Sequence, residues 1–165
     1  MTLRPATGDD LDAIMAIERA SFPTDAWSEA MMRAELASPH NHYIVAHEAG
    51  VVVGYAGLRA PVGASDGDVQ TIALDAARRG RGTGRALLRA LLEFAADRRV
   101  REVFLDVRAD NPIAQGLYRS EGFREIARRA NYYAADGVDG VVMRLDLRAW
   151  AEARQPSPDD AGVCT

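Results

Sequence analysis

The glycine-rich stretch RRGRGTGR, residues 78–85, decides the fold of this chain and lies near its middle. It separates an apolar, strand-like segment at 69–74 from a helix-like segment at 86–96. Alternating glycines leave backbone N–H groups uncovered, and the following helix directs the positive end of its dipole at the loop. A helix N-terminus behind such a turn is an anion site that fits a diphosphate. The flanking arginines add forked hydrogen-bond donors, so a phosphate-bearing cofactor is expected here.

Two common phosphate-binding loops do not fit this stretch. A Walker A loop ends in Gly-Lys-Ser/Thr, but Arg85 follows Gly84, and all 20 cationic side chains of the chain are arginine. A Rossmann fingerprint that started at Gly80 would need a glycine where Arg85 stands. The pattern that remains, residues 79–84, resembles the Arg/Gln-x-x-Gly-x-Gly/Ala signature of the GNAT N-acetyltransferases. That resemblance implies that the loop binds the pyrophosphate of acetyl-CoA.

Composition indicates one compact domain with a real core, because the 165 residues are 48% hydrophobic. The formal net charge of −4 does not suggest a polybasic nucleic-acid-binding protein, and it weakly favours a basic substrate. The single cysteine, Cys164, cannot form an intramolecular disulfide, which is consistent with the cytoplasm. No segment predicts a membrane span, and the N-terminus lacks the apolar core of a signal peptide.

Local patterns predict a mixed α/β fold with the element order β-α-α-β-β-β-α-β-α-β-β. Capping side chains at 7–10 start the first helix, and Asn111-Pro112 opens the last one. We expect a mostly antiparallel central sheet flanked by helices, formed by residues 1–150. Residues 151–165 have no apolar periodicity and are predicted to be a disordered C-terminal tail.

Blocks downstream of the glycine loop extend the resemblance. LDVRADN at 105–111, Leu117-Tyr118 and Gly122-Phe123 resemble the L-E-V-R-x-x-N…A-L-Y-x-x-x-G-F pattern of the RimI-type protein N-terminal alanine acetyltransferases. Phe22-Pro23, Trp27-Ser28 and Met31 resemble the first substrate loop of that family, and RRANYY at 128–133 resembles its last hairpin. The resemblance covers residues 3–147, with all blocks in the same order.

The resemblance implies catalytic roles for Asp106 and Tyr118. A phenol with a pKa of ~10 holds its proton at neutral pH, so Tyr118 is the candidate acid for the departing thiolate. Asp106 stands where the family has its glutamate base and is one methylene shorter. It could act through one ordered water, the base could lie elsewhere, or Asp106 could simply pair with Arg108 or another arginine.

The remaining site residues are also implied by the resemblance. The predicted cofactor-binding residues are Ile72, Ala73 and Leu74, whose backbone groups face the pantetheine arm, Arg79, Gly80, Arg81, Gly82, Thr83, Gly84 and Arg85 of the loop, and Asn111 and Tyr118. The predicted substrate-binding residues are Phe22, Trp27, Met31, Gln70, Arg129, Tyr132 and Tyr133. Asn111 could equally be a helix N-cap. No acidic or cysteine partners cluster with His40, His42 and His47, so no metal site is predicted.

Three functions remain open at this point. The first is transfer of an acetyl group from acetyl-CoA to a protein N-terminus; by resemblance this is the N-terminal alanine of small-subunit ribosomal protein eighteen. Attack would be direct in a ternary complex, by a monomer or weak dimer with no nucleic-acid or membrane partner. The second is acetylation of a small amine, an antibiotic or a lysine side chain. The third is a non-catalytic acyl-CoA-binding module.

Overall fold

The computed structural model describes residues 1–155, which form one mixed sheet flanked by helices. The strands are β1 (Thr2–Pro5), β2 (Asn41–Glu48), β3 (Val51–Arg59), β4 (Asp66–Leu74), β5 (Glu102–Arg108), β6 (Arg124–Tyr133) and β7 (Val138–Asp146). The helices are α1 (Leu11–Ser21), α2 (Glu29–Ala37), α3 (Thr83–Asp97), α4 (Pro112–Glu121) and α5 (Leu147–Arg154). None of the helices in this part of the chain is long and apolar enough to cross a membrane.

The sheet has the order β1-β2-β3-β4-β5-β7-β6. Every neighbouring pair is antiparallel except β4 and β5, which run parallel because α3 crosses over between them. The predicted fold class and the order of its eleven elements are confirmed. Helix α5 is an addition to that prediction.

Helix α5 changes the predicted end of the domain. Asp146 caps the helix by accepting a hydrogen bond from the Ala149 N–H at 3.2 Å, and Leu147 and Trp150 are buried against the sheet. The boundary predicted after residue 150 therefore falls inside α5, and residues 151–154 of the predicted tail are helical. The remainder of that tail, 156–165, with Cys164, lies outside the described residues.

The core occupies both faces of the sheet. On one face, the apolar stripe of α3 packs with α5 and with Val103, Leu105 and Val107 of β5. On the other face, α1 and α2 pack on β2 and β3. Because side chains alternate along a strand, Asp106 and Arg108 point to the α1–α2 face. Ala73 of β4 packs on that same face, so Thr71, two residues earlier, shares it.

Two irregularities shape the middle of the sheet. Gly57 pairs with Thr71 and Leu58 pairs with Val69, so Gln70 is an extra residue in β4. β4 and β5 pair only from Asp66 with Glu102 to Asp68 with Phe104. Within the described residues no strand pairs with the β5-facing edge of β4 beyond Asp68. The two strands therefore open into a wedge, and bulges beside such openings commonly accompany active sites.

Candidate active site

A cavity of about 170 Å³ lies in the wedge between β4 and β5. Its two long walls are residues 69–72 of β4 and 105–108 of β5. Helix α1 and the loop after it close one side, helix α4 closes another, and Tyr133 of β6 completes the lining. The predicted site residues that the cavity brings together are Phe22, Trp27, Gln70, Ile72, Asp106, Asn111, Tyr118 and Tyr133.

Asp106 projects into the cavity from the middle of β5, with 33% of its side chain exposed. Its Oδ1 lies 3.6 Å from Nε of Arg129 on β6. The partner is therefore not Arg108, which sequence alone left possible. Asp106 has both solvent access and a position on the α1–α2 face, and these are what a base for an incoming amine requires.

Tyr118 enters the cavity from α4, where it is 9% exposed. Burial raises the pKa of its phenol to about 12. Its ring packs against Phe123 at 5.8 Å between centroids, which fixes the side chain in the larger of the two cores. A tyrosine held this way keeps its proton at all ordinary pH values, so it can serve as an acid and not as a base.

Asn111 has the helix-capping role that sequence left open. Its Oδ1 accepts a hydrogen bond from the Ala114 N–H at 3.2 Å, and Pro112 follows as the first residue of α4. Asn111 also lines the cavity. The cap orients α4, and with it Tyr118, toward the wedge.

The glycine loop has the open backbone that a phosphate group needs. Gly80 and Gly82 have φ angles of +77° and +81°, in the left-handed region, and no atom lies within 4 Å of a Cβ built on either one. Gly82 is also the N-cap of α3, a 15-residue helix whose free N–H groups face the loop. A diphosphate can therefore approach this backbone closely.

The four arginines around this loop divide into two pairs. Arg78 forms an ion pair with Glu48. Arg85 donates to Ser120 Oγ at 2.9 Å and to Glu121 Oε1 at 3.0 Å. Arg79 and Arg81 are exposed, and neither has a carboxylate partner among residues 1–155. Arg78 and Arg85 thus stabilise the loop, whereas Arg79 and Arg81 are available to an anion. Arg85, which was predicted to bind the cofactor, therefore has a structural role in the loop.

A polar network joins the loop between α1 and α2 to the β6–β7 hairpin across the cavity mouth. Arg108 Nη2 lies 2.9 Å from Asp136 of the hairpin, and Nη1 lies 3.7 Å from Asp25 of the loop. The same guanidinium stacks on the Tyr133 ring at 5.1 Å from its centroid. Burial raises the pKa of Tyr133, and the nearby Asp106 charge raises it further. We call Arg108, Asp25 and Asp136, with Thr24 and Tyr133, the mouth network.

Several predicted site residues lie outside the cavity lining. Met31 is 53% exposed on α2, and Tyr132 is 47% exposed beside Tyr133. Arg129 stacks on Tyr132 at 5.3 Å and reaches the cavity only through Asp106. Ala73 and Leu74 pack their side chains into the two cores, so only their backbone groups can face the wedge.

Two of the cavity residues that sequence reasoning missed, Glu18 and Thr71, carry buried polar atoms. Glu18 of α1 is 3% exposed and lines the cavity. A carboxylate within an apolar stripe was the signal. Thr71 Oγ1 is buried, lines the cavity and has no hydrogen-bond partner among the described residues. Both residues share the face that carries Asp106.

Comparison with known proteins agrees with this architecture. Residues 11–123 match the acetyltransferase (GNAT) family. The chain is 48% identical over 151 residues to the N-alpha-acetyltransferase RimI of Mycobacterium tuberculosis, covering 88% of this chain and 92% of that protein. The crystal structure of the ribosomal-protein-S18-alanine N-acetyltransferase from Escherichia coli superposes with a TM-score of 0.79 at 29% identity, covering 88% and 93% of the two chains.

A second solved structure has a similar fold. The ribosomal-protein-alanine N-acetyltransferase from Brucella melitensis superposes with a TM-score of 0.76 at 25% identity, covering 87% of this chain and 98% of that one. The chain therefore belongs to the acetyltransferase (GNAT) family and is an N-acetyltransferase similar to the RimI proteins.

Proposed function

We propose that this enzyme transfers an acetyl group from acetyl-CoA to the N-terminal α-amine of a protein. The acceptor we propose is the N-terminal alanine of ribosomal protein bS18, modified in the cytoplasm. One observation carries the proposal: the wedge cavity holds a solvent-accessible carboxylate, Asp106, together with a buried phenol, Tyr118. One group can take a proton from an amine and the other can give one to a leaving group.

The fit to acetyl-CoA rests on the glycine loop and on the edge of β4. The loop offers open backbone at Gly80 and Gly82, and its Arg79 and Arg81 pair with no carboxylate within residues 1–155. Beyond Asp68 the backbone groups of β4 that face β5 have no strand partner in the described chain, so they are available to the amides of a pantetheine arm. When bound, acetyl-CoA supplies the activated acetyl group.

The chain's own residues then perform three tasks. Asp106 accepts a proton from the acceptor ammonium, directly or through one water, so that the amine becomes nucleophilic. A free N–H on the β4 edge stabilises negative charge on the reacting carbonyl oxygen. Tyr118 gives the proton on its Oη to the departing thiolate, and the second proton that the acylated nitrogen loses as it becomes an amide restores the phenol. No cysteine lines the cavity in the part of the chain that the structure describes, so we propose direct attack by the amine.

The residues of the cavity that would face the acetyl acceptor favour a cationic, peptide-like substrate. Three acids, Glu18, Asp25 and Asp106, line the cavity against one arginine, Arg108, among the described residues, and this excess of acids suits an α-ammonium. Phe22, Trp27 and Tyr133 supply apolar surface beside these acids. The mouth network lies where the residues following the N-terminal alanine would leave the cavity.

The deciding experiment is a transfer assay with acetyl-CoA. The acceptors are a short peptide with the N-terminal sequence of bS18, the same peptide with a blocked amine, and a panel of small amines. Turnover of the free peptide alone supports the proposal. Turnover of small amines alone assigns the enzyme to the alternative acceptor class, and CoA binding without any turnover supports a non-catalytic module.

A further inference from the structure

Glu18 is a buried carboxylate in an otherwise apolar environment. It lies on α1 between Ile14, Met15 and the sheet, and only 3% of the residue is exposed. Its Oε1 accepts a hydrogen bond from the Trp27 N–H at 3.1 Å, and its Oε2 accepts one from the Tyr55 hydroxyl. A carboxylate has about four lone-pair positions, so these two bonds leave capacity on each oxygen.

The other carboxylates of the cavity are matched with cations, but Glu18 is not. Asp25 lies 3.7 Å from Arg108, and Asp106 lies 3.6 Å from Arg129. No arginine or histidine forms an ion pair with Glu18 anywhere in residues 1–155. Burial raises the pKa of Glu18, and the nearby Asp25 charge raises it further. A buried carboxylate without a cation is costly, and a cation entering the cavity would offset that cost.

The cavity indicates which kind of cation this is. The described residues contain no cluster of three or more side chains able to hold a metal ion, so the arrangement does not suit a metal. The cavity is continuous with Asp106 and Tyr118, where an amine must arrive to react. A primary ammonium has three donors, which is enough to reach Glu18 and a second acceptor together.

We propose that Glu18 binds the α-ammonium of the acceptor and so selects amines that carry a positive charge when they enter. This inference rests on the proposed function and assigns a second carboxylate to the acceptor site. The buried Glu18 carboxylate holds the charged amine, and the more exposed Asp106 takes its proton. The hydrogen bonds that Glu18 accepts from Trp27 and Tyr55 keep its carboxylate oriented and hold the loop before α2 in place.

The test compares Glu18→Gln with the wild type in the presence of CoA. Glutamine has the same shape, can accept from the Trp27 N–H and can donate to the Tyr55 oxygen, so the fold is retained. Calorimetry measures binding of the bS18 N-terminal peptide and of the same peptide with an acetylated amine. We expect the variant to bind the free-amine peptide at least tenfold more weakly and the acetylated peptide within twofold of the wild type.

A matched control is Glu35→Gln. Glu35 accepts a hydrogen bond from the Tyr43 hydroxyl at 3.1 Å and from Asn41 at 2.7 Å, but it does not line the cavity. We expect this variant to bind both peptides like the wild type. The inference would be overturned if Glu18→Gln weakened the binding of both peptides equally or changed the binding of neither. The charge of Glu18 would then not be what binds the ammonium.

Steady-state kinetics separates binding from proton transfer. We expect Glu18→Gln to raise the KM for the peptide and to leave kcat within a few-fold. A loss confined to kcat would make Glu18 the base and would overturn its role as a binding residue. Turnover by the wild type alone tests the proposed function, which fails if only small amines react. In that case, comparing the wild type with Glu18→Gln on those amines still decides the role of Glu18.

Discussion

Thr24 donates a 2.7 Å hydrogen bond from its hydroxyl to Oδ2 of Asp136, although the two residues are 112 positions apart in the chain. Thr24 lies in the loop between α1 and α2, and Asp136 lies in the turn between β6 and β7. Hydrogen bonds from Thr24 and Arg108 lower the pKa of Asp136. The contact therefore fixes the two sides of the cavity mouth relative to each other.

Thr24→Val should loosen this mouth without disturbing the cofactor loop. Loss of this one exposed hydrogen bond should raise the KM for the peptide about threefold to tenfold. The KM for acetyl-CoA should stay unchanged. Thr2→Val, on the far edge strand β1, is the control. If Thr24→Val changed neither KM, the Thr24–Asp136 bond would have no part in acceptor binding.

Asp106→Asn should remove the proposed base while keeping the shape of the side chain. General base catalysis is worth roughly 100-fold to 10,000-fold in rate, so we expect kcat to fall by at least about 100-fold. Asp106→Glu should keep substantial activity, because glutamate stands at this position in the family that the sequence resembles. Steady-state assays with the peptide decide this, with Asp12→Asn, an exposed acid on α1, as the control. A fully active Asn variant would mean that the base lies elsewhere.

Tyr118→Phe should lower kcat by roughly 100-fold, because the phenol is the proposed acid. CoA affinity should change little, since the ring still packs on Phe123. Burial raises the pKa of Tyr118 to about 12, so the wild-type enzyme should keep this proton until the pH nears that value. A pH profile of kcat checks this, with Tyr43→Phe as a control that is buried outside the cavity. A Tyr118→Phe variant that kept the wild-type kcat would contradict the assignment.

The glycine loop allows a test in which two similar substitutions should change the free energy of unfolding in opposite directions. Gly82 has a φ of +81° with open space around it, so Gly82→Ala costs only backbone strain of about 1 kcal/mol. Gly84 is the second residue of α3, where an added Cβ meets Leu74 at 3.6 Å and Leu117 at 3.7 Å, which is ordinary contact. Alanine there should stabilise the helix by about 1 kcal/mol.

The two loop variants should also differ in cofactor binding. We expect Gly82→Ala to raise the KM for acetyl-CoA and lower the free energy of unfolding, and Gly84→Ala to raise the free energy of unfolding with little change in KM. Denaturant titration and steady-state assays measure both quantities. Equal effects of the two variants on the KM would argue against close approach of a phosphate to the backbone at Gly82.

Sequence predicted the features that depend on neighbouring residues. Alternating glycines and the pattern of α3 identified the loop, and blocks in the right order placed Asp106 and Tyr118 in one cavity. Glu18 was missed because its importance depends on which cations fold against it. Met31 was predicted at the site because its segment resembles the first substrate loop of the family, but on α2 the residue is 53% exposed and lies outside the cavity lining. The mouth network joins distant turns, which local patterns cannot predict.

Glu121 joins three helices and offers a prediction about stability. Its side chain is 6% exposed and accepts hydrogen bonds from Arg85 at 3.0 Å, Arg89 at 2.5 Å and the Trp150 indole at 3.3 Å. It therefore links the start of α3 to α4 and α5. Burial by itself would raise the pKa of Glu121, but the donors from Arg89, Trp150 and Arg85 outweigh it and lower the pKa.

Glu121→Gln should lower the free energy of unfolding at neutral pH by about 2 kcal/mol, because bonds to a charged acceptor are replaced by weaker neutral ones and the arginines are partly exposed. Since the folded-state pKa is lowered, this stabilisation is present above the ordinary glutamate pKa of ~4.3 and is lost as the pH falls through the lower folded value. Urea titrations at neutral and acidic pH should therefore show the gap between wild type and variant closing toward acid. Glu152→Gln, an exposed acid on α5, should show no gap at either pH. A gap that stayed constant into acid would mean that the charge of Glu121 contributes nothing and that only the packing of its side chain joins the helices.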